Sequence, residues 1–276
     1  MIYFAASELH ISLPAEVVFH LGPVAITNSM ILGSLGVLVM LAILFFVAGR
    51  IKSGRGNRFV TLIQWLFEFL YNSTVDILGG DKQLARKVAP LAITIFFVVL
   101  INYWISVLPG VGSITWNGVL LFRGLPADLN FTVAIAIITI IASQVFAITR
   151  HGFFGNVGRY IKNPLKDPIG AFEGILEFVG EFSRLVALSL RLFGNAFAGE
   201  VLLMVIAVLA GYFATLALPL FMGFELFIGF IQAYVFYILT VIFTSLAVTV
   251  HGDHDEEHPT SDHSQHPVNK LTAAAK

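Results

Sequence analysis

The chain has 276 residues, of which 57% are hydrophobic and only 12% are charged, and its formal net charge is -1. Soluble domains carry about 25% charged residues, so this composition excludes a soluble globular protein and predicts an all-α integral membrane protein. The near-zero net charge gives no reason to expect a nucleic-acid partner, and the absence of cysteine excludes disulfides, thiolate metal sites and thiol catalysis.

Five apolar segments are long enough to cross a membrane as helices. A helix needs about 20 residues to span about 30 Å of hydrocarbon, and the first three segments, at about 28–49, 88–109 and 129–149, each fit one crossing. The last two, at about 169–212 and 217–249, are longer. Because a helix of 33 residues is about 50 Å long, we predict that both are strongly tilted or bent and form an antiparallel hairpin.

The segment between the first two crossings has the pattern of an amphipathic helix. Gln64, Glu68, Asn72 and Asp76 recur every four residues in an apolar stretch at about 59–78, so they form one polar stripe. We predict a helix that lies in the membrane interface. A sixth crossing is the alternative interpretation.

Lysine and arginine residues indicate which loops are cytoplasmic, because cytoplasmic loops carry an excess of both. The loops that contain most of them are the first and the third, with Arg50, Lys52, Arg55, Arg58, Lys82, Arg86 and Lys87 in one and Arg150, Arg159, Lys162 and Lys166 in the other. The loop at 110–128 contains only Arg123. Five crossings then place the N-terminus outside and the C-terminus in the cytoplasm.

The pattern divides the chain into one membrane domain at 1–250 and a polar tail at 251–276 that holds five of the eight histidines. We predict a solvated, disordered cytoplasmic tail; weak metal binding by its histidines is the alternative. No signal peptide is predicted, since the N-terminal residues lack a basic region followed by an apolar one. No cofactor or metal is predicted for the membrane domain, and no phosphate-binding GxxxxGK[ST] motif occurs.

Arg191 is the principal functional candidate. It lies deep in the fourth apolar segment, with no acid within a helical turn, and a charge at the centre of a bilayer costs about 3 kcal/mol even on lenient scales. Ala187, Gly194 and Ala198 fall on the same helical face. Small residues let another helix approach closely, so we predict that Arg191 faces a neighbouring helix; ordinary packing around an arginine that reaches the interface is the alternative.

The polar residues of the last two helices match in depth if the chain turns near 212. The residue numbers of Arg191 and Gln232 average 211.5, and those of Glu200 and Glu225 average 212.5. The two members of each pair are therefore about equally far from the turn. Glu225 and Gln232 are seven residues apart and therefore share a helical face. Asn195, one turn after Arg191, would orient the guanidinium or simply pack.

Two carboxyls at one depth repel each other when both are ionised, so one of them is expected to retain a proton. Glu200 and Glu225 therefore have the properties of a proton pathway; two protonated acids bonded to each other would be the purely structural alternative. Arginine cannot deprotonate, so Arg191 would block cations at its own level and attract a carboxylate. The pattern indicates aqueous access from the outside that ends at a cationic barrier.

Four other polar residues are secondary candidates. Asp128 and Asn130 precede the third crossing on the outer side, where they would line the water path or cap the helix. Glu173 and Glu177 lie on the inner side of the fourth helix, near the Arg191 face. They would form an inner exit or only stabilise the helix N-terminus.

The segments LSLRLFGNAFAGE (188–200), FIQAYVFYILT (230–240) and LPADLNFT (125–132) resemble subunit a of the F-type ATP synthase, and the similarity extends over about 28–249. The resemblance implies a non-catalytic stator subunit whose last two helices embrace a ring of c subunits, with two offset proton half-channels. It also implies peripheral-stalk b subunits and the remainder of the ATP synthase as partners. The basic-loop pattern and the chain length favour the lipid of a bacterial inner membrane; the mitochondrial inner membrane is the alternative.

The resemblance implies a role for each principal candidate. Arg191 would face the ring carboxylate with Gln232 and Asn195 as polar neighbours, and Glu200 and Glu225 would line the outer half-channel. Many members have a histidine at one of the paired acid positions, and the two glutamates here leave the order of proton transfer open. Ala187 stands where a serine is often found. A secondary transporter is the alternative function, although the inverted repeats expected of one are absent from the sequence.

Overall fold

The computed structural model describes residues 12–54, 56–111, 114–116, 119–160 and 168–249, and the tail at 251–276 lies outside them. The helices within these ranges are α1 (Asn28–Lys52), α2 (Arg58–Ile77), α3 (Lys82–Ser106), α4 (Leu129–Tyr160), α5 (Pro168–Leu209) and α6 (Ala214–Val248). The sequence analysis did not predict two short antiparallel hairpins. The first, β1 (Val17–Leu21) with β2 (Val24–Thr27), precedes α1, and the second, β3 (Thr115–Trp116) with β4 (Val119–Leu120), lies between α3 and α4.

Five of these helices are long and apolar enough to cross a membrane: α1, α3, α5, α6 and the Leu129–Arg150 part of α4. Helix α2 has 20 residues and is long enough, but it is not apolar enough to be among them. It buries Val60, Ile63, Leu70 and Thr74, whereas all four residues of its predicted polar stripe are exposed. The prediction of an all-α integral membrane protein with five membrane helices and one further helix is confirmed.

Helix α3 begins before the predicted start near 88. The carboxylate of Asp81 accepts hydrogen bonds from the backbone N–H groups of Gln83 and Leu84, both at 3.0 Å, and thereby caps the helix. The bond from Leu84, followed by the bond from Gln83 and the charge of Arg150, lowers the pKa of Asp81. A polar first turn is thus part of the helix, although it is too charged to belong to an apolar segment.

Helix α4 continues past the predicted end near 149, with a break at Gly152. The backbone there has φ 75° and ψ 162°, a conformation that only glycine adopts readily. Apolar patterning identified the part of α4 before this kink. It could not identify the part after it, because that part follows a glycine and the charged Arg150.

Helices α5 and α6 form the predicted hairpin. A single 3₁₀ turn at Gly211–Phe213 joins them, and Gly211 has a φ of 49°. Helix α5 has 42 residues, about 63 Å if straight, which exceeds the thickness of the hydrocarbon. The turn is centred on residue 212, the position used to match the two helices in depth, and α6 begins slightly before the predicted start near 217.

Helix α3 lies at the centre of the bundle. It packs against α1, α2 and α6, and α4 packs against α5 and α6. In the most apolar window of α3, 61% of the residues are buried, compared with 17% in α5. Helix α5 is therefore an outer helix that leaves most of its surface available to lipid or to another protein.

Close approach of α1 to α3 depends on Gly36. A Cβ at this position would overlap the side-chain amide of Asn102, which is itself buried and donates to the carbonyl of Val98 at 2.8 Å. Replacing Gly36 by alanine should therefore destabilise the protein by about 1–3 kcal/mol through overpacking. The measurement is thermal unfolding of the purified protein in detergent, followed by circular dichroism.

Gly49→Ala provides the matched control, because a Cβ at Gly49 in the same helix meets nothing within 4 Å. Gly49→Ala should leave the midpoint temperature of unfolding unchanged or raise it slightly, because alanine stabilises a helix by about 0.5–1 kcal/mol relative to glycine. Equal midpoints for the two variants would contradict the described contact between α1 and α3.

Candidate functional site

Glu225 is buried between three helices near the turn end of the α5–α6 hairpin. It projects from α6, and its exposed fraction is 3%. The hydroxyl of Tyr103 on α3 donates a hydrogen bond to its Oε1 at 2.6 Å. The carboxyl lies so close to Gly199 on α5 that a Cβ there would overlap it. The glycine before Glu200 thus makes room for the acid of the opposite helix.

Glu200 has different partners, which come from the connection between α3 and α4. Its Oε1 accepts from the backbone N–H of Gly124 at 2.8 Å, and its Oε2 lies 3.7 Å from Nε of Arg123. The guanidinium of Arg123 also donates to the carbonyls of Pro14 at 2.7 Å and Leu13 at 3.1 Å. An N–H donor and a cation favour the ionised form of the Glu200 carboxyl, whereas its burial favours the protonated form.

The two acids lie at the same level of the hairpin, because Glu225 packs on the residue that precedes Glu200. Among the described residues, neither carboxyl makes a hydrogen bond to the other. The arrangement of two protonated acids bonded to each other therefore does not occur there. Instead, each acid has its own partner, and each can change its protonation state without breaking a shared bond.

Gln232 lies two turns along α6 from Glu225 and contacts Asn195. The amide Nδ2 of Asn195 donates to Oε1 of Gln232 at 2.7 Å. Gln232 has an exposed fraction of 4%, and its Nε2 is buried without a hydrogen-bond partner in the part of the chain that the structure describes. Asn195 therefore contacts Gln232 on α6, whereas the sequence analysis expected it to orient the Arg191 guanidinium or simply to pack.

Arg191 lies on the exposed face of α5, and Ala187, Gly194 and Ala198 are exposed on the same face. A Cβ at Gly194 would meet nothing within 4 Å. Within the described ranges, the guanidinium has no carboxylate within 4.0 Å and no hydrogen bond. The arginine and its small neighbours thus form an open surface on the outside of this chain.

The secondary candidates lie in two separate places. Asp128 is buried, accepts from the Ser29 hydroxyl at 2.6 Å and accepts from the backbone N–H of Asn130 at 2.9 Å. It therefore caps α4 and holds the start of α1, while the side chain of Asn130 is exposed. Glu173 is exposed and Glu177 is half-buried in the first turns of α5, about 20–27 Å along the helix from Arg191.

Sequence reasoning missed two residues of this site, Arg123 and Tyr103. Arg123 carried a usable signal, because it is the one basic residue of the loop at 110–128. Tyr103 carried none, since one aromatic residue in an apolar segment is ordinary. Among the described residues, no group of three or more histidine, aspartate or glutamate side chains could hold a metal ion.

Comparison with known proteins assigns the family. A family model described as ATP synthase A chain matches residues 30–245. ATP synthase subunit a of Mycobacterium ulcerans is 30% identical over 230 residues, which cover 83% of this chain and 89% of the relative. The subunit a of Acidothermus cellulolyticus is 30% identical over 218 residues, which cover 77% and 74%. The chain therefore belongs to the ATP synthase A chain family, as a multi-pass membrane subunit that serves proton transport in ATP synthesis.

Proposed function

We propose that this chain conducts protons to and from the carboxylates of a rotating ring of c subunits through two offset half-channels. Glu200 and Glu225 line the outer half-channel, and Arg191 separates it from the inner one. The observation that carries this proposal is the position of Arg191, a cation on an exposed face of small residues. Such a face accepts a second helix closely, and that helix can bring the missing carboxylate.

Electrostatics supports a carboxylate-bearing partner at this face. An arginine in hydrocarbon requires an anion, a polar partner or access to water, and the described part of this chain supplies no anion. Because Arg191 has no ion-pair or hydrogen-bond partner among the described residues, the arginine remains available to successive carboxylates. A strong internal ion pair would have prevented that exchange.

A path from the outer acids to the Arg191 level follows α6 rather than α5. Glu200 and Arg191 are nine residues apart, which places them on opposite sides of α5 and about 13.5 Å apart along it. Glu225 and Gln232 share one face of α6, and Gln232 reaches α5 through Asn195. The unpartnered buried Nε2 of Gln232 is the kind of polar group that a water molecule or a passing acid satisfies.

The inner half-channel would begin near Glu173 and Glu177 at the start of α5. Both lie at the end of the helix that is opposite to Glu200, and basic residues are concentrated in the preceding loop. Peripheral-stalk b subunits and the other ATP synthase subunits would complete the complex in the inner membrane of a bacterium. Nucleotide chemistry would take place on other chains of that complex.

The distribution of basic residues predicts that the C-terminus is cytoplasmic. A green fluorescent protein fused after Lys276 should therefore fluoresce, and alkaline phosphatase fused at the same position should be inactive. As a control, alkaline phosphatase inserted after Gly110 should be active, because that loop is predicted outside. Periplasmic activity of the Lys276 fusion would reverse the orientation and move Glu200 to the cytoplasmic side.

Replacing Glu200 or Glu225 by glutamine should slow passive proton flow through the assembled membrane sector by about tenfold or more, since each variant loses one proton-exchanging group. If the two acids act in one relay, the double variant should lose less than the sum of the single losses expressed as free energies. Proton flow is measured in vesicles under an imposed potassium diffusion potential.

Glu68→Gln is the control for the acid variants. Glu68 lies on the exposed polar stripe of α2, so its replacement should leave proton flow unchanged. Strictly additive losses at Glu200 and Glu225 would indicate two separate paths. Normal flow in both single variants would exclude either acid from the path.

Arg191→Ala should abolish ATP synthesis while passive proton leak persists or rises. Without the fixed cation, protons can pass directly between the half-channels, and one charge moving down 100 mV releases about 2.3 kcal/mol. Arg191→Lys keeps a charge but loses the planar, multi-donor guanidinium, so synthesis should also fail, with less leak. ATP synthesis and proton conductance are measured in vesicles after assembly has been verified.

Arg86→Ala serves as the control for Arg191, because Arg86 is an exposed arginine in the first turns of α3, and coupled synthesis should survive its loss. Normal coupled synthesis by assembled Arg191→Ala complexes would refute the proposed barrier.

A further inference from the structure

We propose that Tyr103 is a positioning residue of the outer proton path, in which its hydroxyl holds the Glu225 carboxyl over Gly199 and beside the level of Glu200. This inference rests on the proposed function of Glu225. It assigns a role to an aromatic residue of α3, a helix that otherwise forms the centre of the bundle.

The phenol of Tyr103 is held against α6. Its exposed fraction is 1%, and a Cβ at Gly229 of α6 would come within 2.5 Å of its ring, so α6 lies directly against it. The neighbouring Trp104 donates from its indole Nε1 to the carbonyl of Leu226 at 3.0 Å. The hydroxyl therefore cannot leave Glu225 unless α3 and α6 separate locally.

The hydroxyl is also the one hydrogen-bond partner of the Glu225 carboxyl among the described residues, at 2.6 Å. A phenol can both donate and accept, so it can bond to the ionised carboxylate and to the protonated acid. Because Tyr103 occupies Oε1, the second oxygen of Glu225 remains for proton exchange. A carboxyl fixed in this way presents that oxygen in one place at each transfer.

The other charged groups nearby do not replace this contact. Glu200 is held by Gly124 and by Arg123, and the remaining donors of Arg123 bond to Leu13 and Pro14. Gly199 contributes space but no side chain. Without the Tyr103 hydroxyl, the Glu225 carboxyl would have no hydrogen-bond donor among the described residues to fix its orientation.

Tyr237 provides a matched control within the same protein. It is also fully buried, and its hydroxyl contacts Thr74 at 2.7 Å and the carbonyl of Leu70. Those partners are uncharged groups of α2. Replacing either tyrosine by phenylalanine removes one buried hydroxyl, but only the change at Tyr103 removes a partner of an acid.

The test compares Tyr103→Phe and Tyr237→Phe in the assembled complex, alone and in the Glu225→Gln background. Tyr103→Phe should slow passive proton flow in vesicles by about tenfold, the usual effect of losing one hydrogen bond to a charged group. Tyr237→Phe should leave flow unchanged. In the Glu225→Gln background, Tyr103→Phe should cause no further loss, because its effect passes through that carboxyl.

An infrared measurement gives a readout that a purely structural role would not change. The carboxyl band assigned to Glu225 by its loss in Glu225→Gln should shift in Tyr103→Phe and stay in place in Tyr237→Phe. An unchanged band, normal flow in Tyr103→Phe, or an equal further loss in the Glu225→Gln background would each overturn the inference.

Glu225→Asp keeps the test decisive if Tyr103→Phe does not assemble. Aspartate retains the acid but withdraws it from the hydroxyl, so flow should fall as predicted for Tyr103→Phe, and full flow would refute a requirement for positioning. Normal flow in Glu225→Gln would instead refute the proposed function of Glu225. Slow flow in Glu225→Gln with normal flow in Tyr103→Phe would refute the role of Tyr103 alone.

Discussion

Polar side chains within the helical bundle must find partners on other helices, and this requirement determines how α6 is placed. Helical backbones satisfy their own hydrogen bonds, so the remaining polar groups connect one helix to another. Glu225 connects α6 to α3, Gln232 connects it to α5, and Tyr237 connects it to α2. Three contacts at three depths leave α6 little freedom to slide or rotate.

Helix α5 has a buried apolar face and an exposed face that carries a charge. Its buried face includes Leu188, Leu192, Ala196 and Gly199, which pack toward the bundle, whereas Arg191 lies on the exposed face. Glu200 and Arg191 are therefore separated both along α5 and around it. Under the proposed function, this separation prevents a direct transfer along α5 and favours transfer by way of α6.

Patterns within single helices predicted much of the fold and part of the site. Hydropathy identified the five crossings, and the four-residue spacing identified α2, because both signals repeat within one element. The exposed face around Arg191 follows from the same periodicity. The partners of the acids could not be predicted in this way, since Tyr103 lies 122 positions from Glu225 and Gly124 lies 76 from Glu200. Periodicity relates residues of one helix and contains no information about such pairs.

The different partners also explain how two glutamates can lie at one level. An ionised carboxyl buried without a partner costs several kcal/mol, and two of them would also repel each other. Arg123 and the Gly124 N–H stabilise negative charge on Glu200, while the Tyr103 hydroxyl accommodates Glu225 in either state. Under the proposed function, a proton can then leave or reach Glu225 while Glu200 keeps its own bonds.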